Sequence, residues 1–174
     1  MLINLTDVFT SEGKDRKESF IYEPDCFSYM GNDYRICDKS PVEMTFSNLE
    51  NGKILMKGRM DLALEIPCDR CLKMVKQPIH LEFEQEVFSP DAGEQMEDQD
   101  EQGFMLLYEL DTEALLYGEI LVNMPVKVLC RPDCKGICKQ CGHNLNEGEC
   151  GCDTFVPDPR MAAIKDIFNA DKEV

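Results

Sequence analysis

Eight of the ten cysteines in this chain fall into close pairs: Cys68-Asp-Arg-Cys71, Cys130-x-x-x-Cys134, Cys138-Lys-Gln-Cys141 and Cys150-Gly-Cys152. Thiolates one to three residues apart converge on a point at little cost in chain entropy. A tetrahedral Zn²⁺ asks this of four sulfurs at about 2.3 Å. Eight ligands make two Cys₄ sites, hence two Zn²⁺ per chain. Reach suggests the grouping. Cys138, Cys141, Cys150 and Cys152 are closed by a short loop, residues 142–149, rich in turn formers (Gly142, Asn144, Asn146, Gly148), and can meet unaided. Cys130 and Cys134 then need Cys68 and Cys71, a closure over about sixty residues that a metal can stabilise. The sequence also admits a mixed set, for instance Cys134 with Cys138, Cys141 and Cys152. Cys26 and Cys37 fit no pair and read as buried small hydrophobes or free thiols.

Other cysteine chemistries fit less well. Pro67-Cys68-Asp-Arg-Cys71 matches half of the zinc-deaminase signature and His80-Leu81-Glu82 the other half, but the order is reversed and His80 falls on the solvated side of a strand. Catalytic zinc keeps an open coordination position, whereas an all-cysteine site is closed. The chain has two histidines, and His143 in Cys-Gly-His-Asn reads as a solvent-facing knuckle residue rather than a substitute ligand. A Cys-x-x-Cys pair can also cycle between dithiol and disulfide, but no βαβ thioredoxin pattern surrounds either pair. Ferredoxin spacings are missing too. The expectation is a non-enzyme with structural zinc; a thiol redox or metal-handling protein is the alternative.

Composition supports that reading. A hydrophobic share of 43% and a charged share of 30% suit a globular protein, and no apolar run approaches the roughly 18 residues of a membrane span. The start, Met1-Leu-Ile-Asn-Leu-Thr-Asp, lacks a basic flank and an apolar core, so the expected compartment is the reducing cytoplasm, where clustered cysteines bind metal rather than pair as disulfides. The formal charge is −16 and the pI near 4.4. Each closed Zn–Cys₄ site adds −2, so loading both brings the chain to about −20. Such a field repels phosphate backbones and favours a basic partner.

The elements that must position the cysteines are legible in part. Residues 1–40 are poorly periodic, with weak strand signals near Ile3-Asn-Leu5 and Phe20-Ile-Tyr22. Beyond them Val42, Met44 and Phe46 alternate with polar residues, and Asn51-Gly52 predicts a tight hairpin turn. Ile54, Met56, Met60, Leu62, Leu64 and Ile66 occupy even positions, interrupted by Gly58. After Cys71 the pattern resumes on odd positions with Val75, Ile79, Leu81, Phe83 and Val87. Cys68 to Cys71 thus caps a strand-to-strand connection. Residues 89–103 carry six acidic and no basic residues and predict a mobile acidic loop, without the ligand spacing of an EF-hand. Asp111 caps a helix to Met124 that Pro125 stops. Asp158-Pro159 opens a final short helix with Met161, Ile164, Ile167 and Phe168 on one stripe. The whole predicts an α+β fold: an antiparallel sheet with long hairpins and one central helix over residues 1–128, then a cysteine-rich zinc-knuckle region over 129–174.

As a set, Cys68-x-Arg70-Cys71-Leu72, the run Leu129-Cys-Arg-Pro-Asp-Cys-Lys-Gly-Ile-Cys-Lys-Gln-Cys-Gly-His-Asn-Leu-Asn146, then Cys150-Gly-Cys152 and Asp158-Pro-Arg160, resemble the bacterial YceD family over residues from about 40 to 168. The resemblance implies a role in accumulation of large-subunit (23S) ribosomal RNA, hence ribosome assembly, and no established enzymatic activity. It implies as partner a large-subunit ribosomal precursor, and the acidic charge suits a basic ribosomal protein at least as well as direct contact with RNA. Arg70, Arg131, Lys135 and Lys139 form a small basic cluster around the knuckles. They either touch RNA or a partner locally or neutralise their own thiolates, and the charge argument favours the second.

Overall fold

The computed structural model describes residues 1–11, 13, 15–49, 51–91 and 103–152. The chain divides into two compact units: Met1–Pro67 with Met74–Val128, and Cys68–Lys73 with the chain from Leu129 onward. In order, the first unit contains β1 (Leu2–Asn4), α1 (Thr6–Thr10), β2 (Asp15–Phe20), β3 (Cys26–Tyr29), β4 (Asn32–Lys39) and β5 (Val42–Asn48). It continues with β6 (Lys53–Pro67), β7 (Met74–Phe88), β8 (Met105–Leu106), β9 (Glu109–Asp111) and α2 (Thr112–Val122). The fold is α+β, with every strand pairing antiparallel.

Strand β6 is the spine. Its even residues, Ile54 to Ile66, are buried, and Lys57, Arg59 and Asp61 between them are exposed, as period-2 alternation requires of a one-faced strand. One edge pairs with β7 from Lys53↔Phe88 to Pro67↔Met74. The other meets β5 over Ile54 to Arg59 and then β4 over Leu62 to Glu65, with a bulge between Ile36 and Asp38. Strands β2 and β3 extend the sheet beyond β5 and β4. The turn into β6 places Asn51 at φ 52 and Gly52 at φ 72, the left-handed pair a tight hairpin needs. Gly58 interrupts the apolar series because the ring of Phe83, opposite it on β7, occupies the space a side chain would take.

Helix α2 starts where Asp111 accepts hydrogen bonds from the N–H groups of Glu113 and Ala114. Leu115, Leu116 and Ile120 join the same core cluster as the inward residues of the sheet. Each such side chain contributes about 1.5–3 kcal/mol by leaving water. Gln85 on β7 donates to Glu119 on this helix at 2.7 Å. Burial nonetheless pushes the Glu119 carboxyl above its ordinary value.

The amino-terminal region holds more order than its sequence signals. Strand β1 pairs with β9, placing Ile3 against Leu110, and β9 pairs with β8 in a separate three-stranded sheet. A second helix, α1, follows β1. The expected strand around Phe20-Ile-Tyr22 lies earlier, at Asp15–Phe20, where alternate residues are half-buried. Residues 92–102 of the acidic loop and the final helix from Asp158 fall outside the described residues. Among the described residues no helix is long and apolar enough to cross a membrane.

Candidate metal centre

The second unit gathers the eight paired cysteines into two tetrads, Cys68, Cys71, Cys130 and Cys134, and Cys138, Cys141, Cys150 and Cys152. Within each, the four sulfurs lie within 4.8 Å of one another. This is the grouping that loop reach favoured; the mixed set is not formed.

The first tetrad rests on a tight turn between the ends of β6 and β7. Cys68 N–H donates to the Lys73 carbonyl at 2.8 Å and Leu72 N–H to the Cys68 carbonyl at 2.9 Å, with Leu72 at φ 60. That loop turns both cysteines to one side. From the later chain, Cys130 lies 3.5 Å from Cys71 and Cys134 lies 3.8 Å from Cys68, sulfur to sulfur. A disulfide needs about 2.05 Å, so these are not bonded. A tetrahedron with bonds of about 2.3 Å has edges near 3.8 Å, so the observed separations fit a metal. All ten cysteines are free thiols.

Two further contacts hold this arrangement. Arg70 donates from Nη1 to the Cys134 carbonyl at 2.7 Å, and its own carbonyl accepts from Ile137 N–H at 3.0 Å. Gly136, at φ 84, passes so close to Arg70 that a side chain there would press on the Arg70 carbonyl. In the second tetrad, Cys138 N–H donates to the His143 carbonyl and Gly142 N–H to the Cys138 carbonyl, closing the turn over Cys138 and Cys141. Cys138 is buried and Cys141 exposed, so this tetrad is the more open of the two.

The electrostatics suit a cation. Burial works against a thiolate at Cys68, but backbone groups of Arg70, Cys130 and Cys71 outweigh it and bring the thiol down to about 6. Cys130 is pushed up to about 12 by hydrogen bonding with Cys71 and by burial. The second tetrad repeats the pattern: backbone groups of Cys141 and Gln140 lower Cys138 to about 6, and hydrogen bonding with Cys141 and Cys150 raises Cys152 to about 12. Within each tetrad one thiol is thus shifted down and another up, as sulfurs sharing protons at this spacing must be. Four like charges at this spacing need a cation among them, and a divalent ion displaces the remaining protons.

The other sequence candidates distribute clearly. Arg70 and Arg131 are engaged within the unit, Arg131 donating to Asn146 Oδ1 at 2.8 Å and lying 3.4 Å from Asp133. The side chains of Lys135 and Lys139 are exposed. His143 is exposed as expected, while His80 sits 2.6 Å from Asp61 on the outer face of the sheet, so the deaminase pattern assembles no site. Cys26 is exposed and Cys37 half-buried, so they are free thiols rather than buried hydrophobes. The residue missed was Asn146. In a loop of turn formers, nothing in its sequence context marks it as a partner of Cys134, yet its Nδ2 lies 3.4 Å from the Cys134 sulfur.

The chain thus combines an antiparallel α+β unit with a unit whose two cysteine tetrads could each hold a metal ion. A family model described as large ribosomal RNA subunit accumulation protein YceD matches residues 56–168, and the chain belongs to that family. Uncharacterized proteins of Mycobacterium bovis and of two strains of Mycobacterium tuberculosis are 27% identical to it over 121 residues, 69% of this chain. The chain spans 58% of the length of these curated relatives. No solved structure is significantly similar.

Proposed function

We propose that this chain is a non-catalytic factor in assembly of the large ribosomal subunit, acting in the cytoplasm to support accumulation of large-subunit ribosomal RNA. The observation that carries this is the family match over residues 56–168. Each tetrad holds one Zn²⁺ as a structural ion, because four thiolates close the coordination sphere and leave no position for a substrate. The partner is a basic protein of the large-subunit precursor. The net charge of −16 supports a protein partner over bare RNA, since an acidic chain gains little from releasing counterions off phosphates. Any RNA contact is local, through the exposed Lys135 and Lys139 beside Arg70 and Arg131.

Three measurements test it. Deleting the gene should lower mature large-subunit RNA relative to small-subunit RNA, and tagged protein should sediment with large-subunit precursors. Binding to a basic large-subunit protein should weaken as salt rises. A second reading, thiol or metal handling, draws on the exposure of Cys141. Unchanged subunit ratios with sensitivity to thiol oxidants would favour it.

A further inference from the structure

We propose that Asn146 couples the two tetrads, so that closure of the loop over Cys138, Cys141, Cys150 and Cys152 strengthens metal binding by Cys68, Cys71, Cys130 and Cys134. The inference rests on the reading that the tetrads hold metal. Asn146 lies between Cys141 and Cys150, inside the loop of the second tetrad, yet its side chain addresses the first. Nδ2 donates to Cys134 Sγ at 3.4 Å and to Asn144 Oδ1 at 2.8 Å. Oδ1 accepts from the backbone N–H of Lys135 and from Arg131 Nη2, both at 2.8 Å. A carboxamide has two donor hydrogens and two acceptor lone pairs, and all four are used here.

That complete use fixes which way the amide points. Lys135 N–H and the Arg131 guanidinium are donors only, so the oxygen must face them and the nitrogen must face the sulfur. The side chain therefore aims an N–H at a ligand atom that carries negative charge when metal is bound. It also braces the residues next to Cys130 and Cys134. Outer-shell hydrogen bonds of this kind orient ligands and are worth about 10–100-fold in metal affinity.

Asn146 is itself placed by its own loop. Its backbone N–H donates to Asn144 Oδ1 at 3.1 Å, and Asn144 Nδ2 donates to Glu147 at 3.0 Å. Leu145 N–H donates to the Gly136 carbonyl at 2.9 Å, and Ile137 bridges to Asn144. This loop returns to the second tetrad at Cys150. If Cys138, Cys141, Cys150 and Cys152 are not gathered, its far end is untethered, and holding Asn146 against Cys134 costs ordering entropy. Gathering them removes that cost, and by linkage each tetrad raises the affinity of the other by the same factor.

The experiment uses the full chain, reduced and metal-free, titrated with Co²⁺ and read by thiolate-to-cobalt absorption. The parent should bind two ions. Asn146→Asp keeps acceptors for Lys135 and Arg131 but removes the donor to Cys134. It should weaken the first tetrad about tenfold or more, and by the same linkage the second tetrad should no longer bind more tightly when the first is loaded. Cys150→Ser with Cys152→Ser disables the second tetrad and should weaken the first by a similar factor. In the combined variant the two losses should not add. Additive losses, or a first tetrad indifferent to Cys150→Ser with Cys152→Ser, would overturn the coupling. Release of Co²⁺ to a chelator is the second measurement: the slow phase of the parent should quicken about tenfold in Asn146→Asp, and an unchanged slow phase would also overturn it. A parent without the charge-transfer band would instead remove the metal reading itself, a result distinct from loss of coupling alone.

Discussion

The Phe83 ring lies directly over Gly58, its partner across the β6–β7 ladder, where a methyl group would overlap it. Phe83 is 7% exposed, and its ring must shift before any side chain fits at position 58. Gly58→Ala should cost about 1–3 kcal/mol through overpacking, seen as a lower urea midpoint. Trimming the ring with Phe83→Leu in the same chain should recover part of the loss. An unchanged midpoint for Gly58→Ala would show that the ring swings aside freely.

Metal content separates the paired cysteines from the others. Native mass spectrometry of reduced protein should find two Zn²⁺ per chain, and Cys68→Ser or Cys138→Ser should each leave one. Cys26→Ser and Cys37→Ser should leave both ions, since Cys26 is exposed and the Cys37 sulfur sits 3.3 Å from the Ala63 carbonyl, inside the sheet unit. Loss of an ion from either of these would contradict the assignment.

The basic residues of the knuckle should divide into two kinds. Arg70 holds the Cys134 carbonyl with its guanidinium and Ile137 N–H with its own backbone carbonyl, so Arg70→Ala, which removes the first of these, should speed amide exchange over residues 134–137. Lys135→Glu with Lys139→Glu should leave that exchange unaltered. The same pair of changes should tighten binding of a basic protein and weaken binding of RNA, so a binding assay with each partner tells which one meets this face.

Glu119 gives a pH signature in the first unit. Its carboxyl is raised by burial, with Gln85 opposing. A raised acid favours the folded state when neutral, so the penalty is absent below the unfolded value and grows as pH climbs through the folded one. Glu119→Gln should therefore raise the melting temperature at neutral pH, by no more than about 2 °C after solvent screening. The gain should vanish near pH 4. A gain of equal size at both pH values would assign it to something other than charge.

The sheet was readable where one face is buried over many residues. Ile54 to Ile66 and Ile79 to Val87 keep strict parity because a slip of one residue would turn every apolar side chain to water. Asp111 and Pro125 marked the helix for equally local reasons. The first forty residues gave little, because β1 to β3 are short and the strands there owe their order to partners far away, such as Leu110 for Ile3 and Leu64 for Ile36. In the tetrads, spacing revealed which cysteines gather and loop length their grouping. Asn146 was hidden because its role depends on Arg131, Lys135 and Cys134, which only the folded loop brings together.

The halves of the first tetrad are written far apart, with Cys134 following Cys68 by 66 positions. At about 5–20 residues per second of synthesis, the early Cys-x-x-Cys pair waits several seconds for its complement. During that wait two sulfurs stand where four are needed, so the growing chain is more open to oxidants than the finished one. Chains arrested before residue 130 should collect a Cys68–Cys71 disulfide that full-length chains escape, so the vulnerable moment of this protein falls during its own birth.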